Sequence, residues 1–121
     1  MSNQAPHRVQ RGETILFILE AYAQNSTKFG DVSAVASAAA AMRTVIGNSG
    51  EPDPAATRIY FSSSFEAATA TTPPRWIFTY SASLSASLAK GVYAFNVALT
   101  MTDGSVRKLD HVLIVVEESA V

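Results

Sequence analysis

The chain has 121 residues, no cysteine and a formal charge of −1, which is room for one domain and excludes thiol catalysis, Fe–S ligation and thiolate zinc sites. At this length a core forms without a disulfide or metal staple. Nine Lys and Arg against ten Asp and Glu give no bulk attraction for nucleic acid or anionic lipid, and twenty Ala, fourteen Ser and ten Thr, over a third of the chain, suit packing and contact.

Residues 1–12 read as an extended N-terminal arm ending at Gly12, with Arg8 and Val9 as its candidate partner contacts, and 13–121 as one domain. Residues 14–23 fit two templates. As a strand they set Ile15, Phe17 and Leu19 on one face and Leu16, Ile18, Glu20 and Tyr22 on the other; as a helix they group Ile15, Ile18, Leu19 and Tyr22. β-Branched and aromatic enrichment favours the strand. Residues 24–31, with Asn25, Ser26, Thr27 and Gly30, read as a turn. For 32–46 propensity writes a helix: the core is four alanines followed by Met42 and Arg43, Asp31 suits an N-cap, and Gly47 lies just past the end. Residues 47–56, with Pro52 and Pro54, form a surface loop.

From residue 57 the pattern turns to β. Ile59, Phe61 and Phe65 recur at odd positions, Pro73-Pro74 breaks the chain, and 75–80 resumes as a strand carrying Trp76 and Phe78. Residues 81–88 set Leu84 and Leu88 four apart, as one or two helical turns would. The strand at 91–101 has strict period two, with Tyr93, Phe95, Val97, Leu99 and Met101 on one side. Asp103-Gly104 marks the hairpin turn that follows, and 106–117 returns antiparallel. The returning strand is polar at Arg107, Lys108, Asp110 and His111 but apolar on both faces from Val112 to Val116. Either the fold covers both faces, or one face meets another subunit; on the second reading Val112, Ile114 and Val116 are candidate contacts.

Short strands, regular turns and a Gly-x-Tyr entry at Gly91-Val92-Tyr93 indicate an all-β, immunoglobulin-like antiparallel β-sandwich with a short helical turn near 81–88. In such domains a tyrosine at the position of Tyr93 bonds back to the upstream backbone. Three stretches, Pro74-Arg75-Trp76-Ile77-Phe78-Thr79-Tyr80-Ser81-Ala82, Leu88-Ala89-Lys90-Gly91-Val92-Tyr93-Ala94-Phe95-Asn96-Val97 and Thr102-Asp103-Gly104-Ser105-Val106, carry a family resemblance, as does the Gly12-Glu13-Thr14 entry. Together they resemble the small immunoglobulin-like domains of tailed-bacteriophage virion proteins, similar to the N-terminal domain of upper-baseplate proteins. The resemblance is close over 74–117 and in outline elsewhere. It implies a strand over 33–43 closing on Met42-Arg43, against the helical propensity of the alanines. It also implies a structural role on baseplate, tail or fibre, or in capsid decoration, with other virion proteins as partners and a homo-oligomeric state such as a trimer.

Chemistry is thinly represented. Asp110 and His111 are strand neighbours that point to opposite faces, so they do not form a triad pair; there is no Gly-x-Ser-x-Gly elbow. No EF-hand or His-x-x-x-His spacing offers a metal site. The expectation is therefore a protein without enzymatic activity, catalytic residues, metal or cofactor. Arg107-Lys108 is too small a cluster for nucleic acid. Trp76, Tyr60 and Tyr80 are either core residues or, in a carbohydrate-binding module, stacking platforms for a bacterial (host) surface glycan. The chain start is polar, and the longest apolar run outside the alanines, 112–116, is far short of the roughly 20 residues that span a bilayer. No membrane association is expected; the protein is made in the host cytoplasm without a signal peptide and ends in the virion.

Overall fold

The computed structural model describes residues 6–20, 35–47, 49–67, 70–71, 75–109 and 111–119. The turn at 24–31, the Asp31 cap, Tyr22, the Pro73-Pro74 break and Asp110 lie outside them.

Two sheets pack as a β-sandwich. The larger runs in the order β1 (His7–Gln10), β9 (Val112–Glu117), β7 (Gly91–Met101), β3 (Val35–Thr44) and β4 (Ile59–Tyr60), with β8 (Val106–Lys108) also paired to β7. The smaller has the order β2 (Ile15–Glu20), β6 (Arg75–Tyr80), β5 (Ser62–Glu66). One helical turn, α1 (Ala82–Ser85), links β6 to β7 and is capped by Ser81, whose hydroxyl accepts from Leu84 N–H. Placing β2, β6 and β5 in one layer and β3, β7 and β9 in the other is the immunoglobulin-like arrangement.

β7 is the spine. Tyr93, Phe95, Val97, Leu99 and Met101 all point inward and are buried, as the period-two pattern requires. The tyrosine corner is present: Tyr93 Oη donates to the Ala89 carbonyl at 2.7 Å. Burial raises the Tyr93 pKa above 10.0, helped by nearby Tyr80 and opposed by Arg11. Two residues on, where antibody domains carry the second cysteine of their inter-sheet disulfide, Phe95 stacks on Phe17 of β2 with centroids 4.3 Å apart. An aromatic pair thus ties the sheets together in a chain without cysteine.

The alanine tract is strand β3, in register with β7 from Ser37–Thr100 to Thr44–Tyr93. Helix propensity separates alanine from strand-forming residues by no more than about 0.7 kcal/mol each. Against that, Met42 is fully buried, and β3 is paired to β7 from Ser37 to Thr44 and, on its other edge, to β4 at Ala41 and Met42. Ala38 and Ala40 face inward, and Ala40 is 2% exposed. Their small side chains leave room for Phe61, whose N–H donates to Ala40 O at 2.9 Å and whose ring meets Phe95 edge-on at 4.9 Å. At Phe61 the chain also leaves the larger sheet for the smaller one.

The return from β7 is interrupted. Ala98 faces Lys108 and Phe95 faces Val112, so the returning chain carries one residue more than β7 between these two pairs. The hairpin before it closes through Met101 N–H to Ser105 O at 2.8 Å, with Gly104 at φ +90° as turn chemistry demands.

The stretch read as a free arm is, from His7, the edge strand of the larger sheet, parallel to β9, and it plugs Val9 into the core. The following turn is anchored to α1. Ser85, a buried serine, donates to Glu13 O (2.6 Å) and accepts from Gly12 N–H (3.0 Å), while Arg11 reaches Ala86 O (3.1 Å) and Glu118 (2.9 Å).

Candidate functional site

The registers decide which side chains the protein offers to a partner. On β9, Val112 pairs with inward Phe95 and Ile114 with inward Tyr93, so the even residues face the core. Ile114 is 0% and Val116 2% exposed, so these two side chains build the core and offer no docking face, while Val112, on the same side of the strand, is half-buried. The strand's outward residues are Leu113 and Val115. Val9 is likewise a core residue; Arg8 is exposed and bridges to Glu117 at 3.3 Å. β1 already pairs with the outer edge of β9 from Ile114 to Glu117, so strand addition along those residues is closed.

The three aromatic candidates separate. Trp76 points inward, half-buried, with its ring 5.0 Å from Phe65; its Nε1 is shielded and has no hydrogen-bond partner among the described residues. Tyr80 also points inward, against Phe61 at 5.4 Å. Neither ring is presented for stacking. Tyr60 is, at 63% exposure.

Two outer faces remain. The smaller sheet turns its inner side to the core through Ile15, Phe17 and Phe78, yet its outer side is apolar as well. Leu16 and Ile18 are each 47% exposed, and Ile18 lies in register with outward Ile77. Ser62, Ser64 and Thr79 flank this patch, and the Arg75–Glu66 ion pair (2.7 Å) closes one end.

The outer face of the larger sheet holds a shallow depression of about 350 Å³. Its floor follows from register. Tyr60, Ala41 and Asn96 form one row across β4, β3 and β7, and Ala39, Ala98 and Lys108 form the next across β3, β7 and β8. Arg43 and Arg58 complete the rim, with Pro52 from the loop after β3. That loop covers the far end of the face, where Gly50 lies over Leu113 at a distance that would put a Cβ in ordinary van der Waals contact with its Cδ1, 3.7 Å.

Among the described residues no group of three His, Asp or Glu side chains is placed to hold a metal ion. His7 packs against Phe17, centroids 5.0 Å apart. No described helix is long and apolar enough to cross a membrane. Compared with models of known protein families and with curated proteins, the chain matches none.

Sequence reading missed both faces. For the smaller sheet the signal existed, since 15–19 is apolar on both parities. For the depression it did not: Arg43, Arg58 and Lys108 are far apart in the chain, and only strand order brings them together.

Proposed function

We propose that the chain is a non-enzymatic structural protein of a tailed-phage virion, working by surface contact on baseplate, tail or fibre or as a capsid decoration. The virion part of this reading rests on the resemblance of residues 74–117. The contact part is carried by one observation, the exposure of Leu16 and Ile18 on the outer face of the smaller sheet. A sheet with its core on one side ordinarily turns polar residues to water on the other. β2 is apolar on both.

β2 is also the open edge of that sheet among the described residues, and 15–19 carries none of the charges or prolines that blunt a strand edge. The occupant that suits an open apolar edge is a second copy of the chain, paired β2 to β2 about a twofold axis, since an isologous contact needs only self-complementarity. Each copy then contributes Leu16 and Ile18 to one continuous face on which other virion proteins dock.

The test is composition of purified phage particles by mass spectrometry. The proposal requires this chain in stoichiometric, multi-copy amounts after density-gradient purification; its confinement to the lysate would overturn it. A carbohydrate-binding module is the second reading, and the exposure of Tyr60 is the observation that favours it.

A further inference from the structure

We infer that the depression on the outer face of the larger sheet is a binding site for an anionic saccharide, a sugar unit bearing a carboxylate. Three observations converge there. First, Arg43, Arg58 and Lys108 line it, and no acidic side chain among the described residues does. In the adjoining loop, Asp53 is turned to its own backbone, accepting from Ala55 N–H at 2.9 Å. Second, none of these cations forms an ion pair among the described residues. The ion pairs among the described residues use Arg8, Arg11 and Arg75 instead. In a chain of net charge −1, three cations around one hollow are a local concentration, not a reflection of bulk charge. Third, the hollow has the shape for a ring. Ala39, Ala41 and Ala98 give a low floor, and Tyr60 stands beside it with its ring open to solvent.

The chemistry of recognition follows from what the floor lacks. Beside Tyr60 the β4-side edge of β3 is already taken, by pairing at Ala41 and Met42 and by Phe61 N–H on Ala40 O, so recognition there comes from side chains. An aromatic face takes the C–H side of a sugar ring. Arg gives paired N–H donors that match a carboxylate. Asn96 donates from Nδ2 to Leu109 O (3.4 Å), which leaves Oδ1 as an acceptor for a hydroxyl. From Tyr60 to Lys108 the site crosses three strand spacings, about 14 Å, which suits a short oligomer. A single tyrosine without further exposed aromatics on this face is too few stacking platforms for a nucleic-acid track. The inference is independent of the virion reading, since the site needs only the folded chain.

The experiment is an amide-resolved NMR titration of the intact chain with trigalacturonate, with neutral galactotriose and with oligo(dT) of matched length. The expected result is movement of the Ala39, Ala41 and Ala98 signals with trigalacturonate alone, weakened by added salt. Tyr60→Ala and Arg58→Gln, both at exposed positions that leave the spectrum of the fold intact, each weaken binding, Arg58→Gln by about tenfold, the size of one charge-assisted contact. Equal binding of the neutral sugar, stronger binding of oligo(dT), or no movement at millimolar ligand would each overturn the assignment.

Discussion

Replacing Tyr93 by Phe removes one oxygen and nothing else from the crossover that leads into β7. The ring stays buried, so no cavity opens; what is lost is the 2.7 Å hydrogen bond to Ala89 O. Ala89 is exposed, and its carbonyl can turn to water. The cost is then that of one net hydrogen bond, about 1 kcal/mol, not the larger penalty of an orphaned acceptor. For a domain of this size that lowers Tm by about 3–5 °C. The pH dependence adds a second, independent signature. Burial raises the Tyr93 pKa in the folded state above 10.0. Below pH 10 the tyrosine is protonated in both states, and its stabilisation is complete. Above it the unfolded chain gives up this proton while the folded protein keeps it, so stability falls as pH rises toward and through the folded value. The Phe variant has no such proton to hold. Urea unfolding of both proteins from pH 7 to 11 measures the difference: the wild-type advantage is constant to about pH 10 and shrinks beyond it. A variant as stable as wild type at pH 7, or an advantage unchanged at pH 11, would refute the corner's role.

Three further outcomes follow from the same packing. Ala40→Leu, which forces a branched side chain against Phe61 and the β3–β7 ladder, destabilises by about 1–3 kcal/mol in urea unfolding, whereas the outward Ala39→Leu is tolerated. Ser85→Ala removes the partner of both Gly12 N–H and Glu13 O and costs about 1–2 kcal/mol by the same measurement, with faster hydrogen exchange at Gly12. Asp103, which accepts from the Ser105 hydroxyl (2.6 Å) and N–H (2.8 Å), has its pKa lowered below 3.8, chiefly by the hydroxyl. An NMR titration therefore finds its midpoint below that value. Its contribution to the hairpin is present above pH 3.8 and lost as pH falls through the folded midpoint.

Much of the β architecture is legible in the sequence, for identifiable reasons. The strand 91–101 alternates strictly, and 75–80 lies between the Pro73-Pro74 break and the helical spacing of Leu84 and Leu88, so both are read with the bounds the structure gives them. The alanine strand is different: propensity favours a helix, and family resemblance alone points to the strand that pairing on both edges enforces. Val112 to Val116 shows where alternation runs out. With both parities apolar, the sequence cannot say which residues face inward; the one-residue shift in register between the Ala98–Lys108 and Phe95–Val112 pairs sets that phase and turns Ile114 and Val116 into core. His7–Gln10 fails for a related reason, since one apolar residue, Val9, gives too little pattern to reveal a strand. Tyr60 is visible as an aromatic, but its exposure depends on β4 having only two residues before Phe61 crosses to the other sheet.

The contact account is tested most directly by sedimentation equilibrium of the purified chain beside the double variant Leu16→Glu, Ile18→Glu. Both positions are outward and half-exposed, so the folding stability of the variant, read by urea unfolding, stays close to that of wild type. The account predicts a wild-type chain that self-associates and a folded variant that sediments as a monomer. A wild-type monomer, or a variant that associates as strongly as wild type, would contradict it.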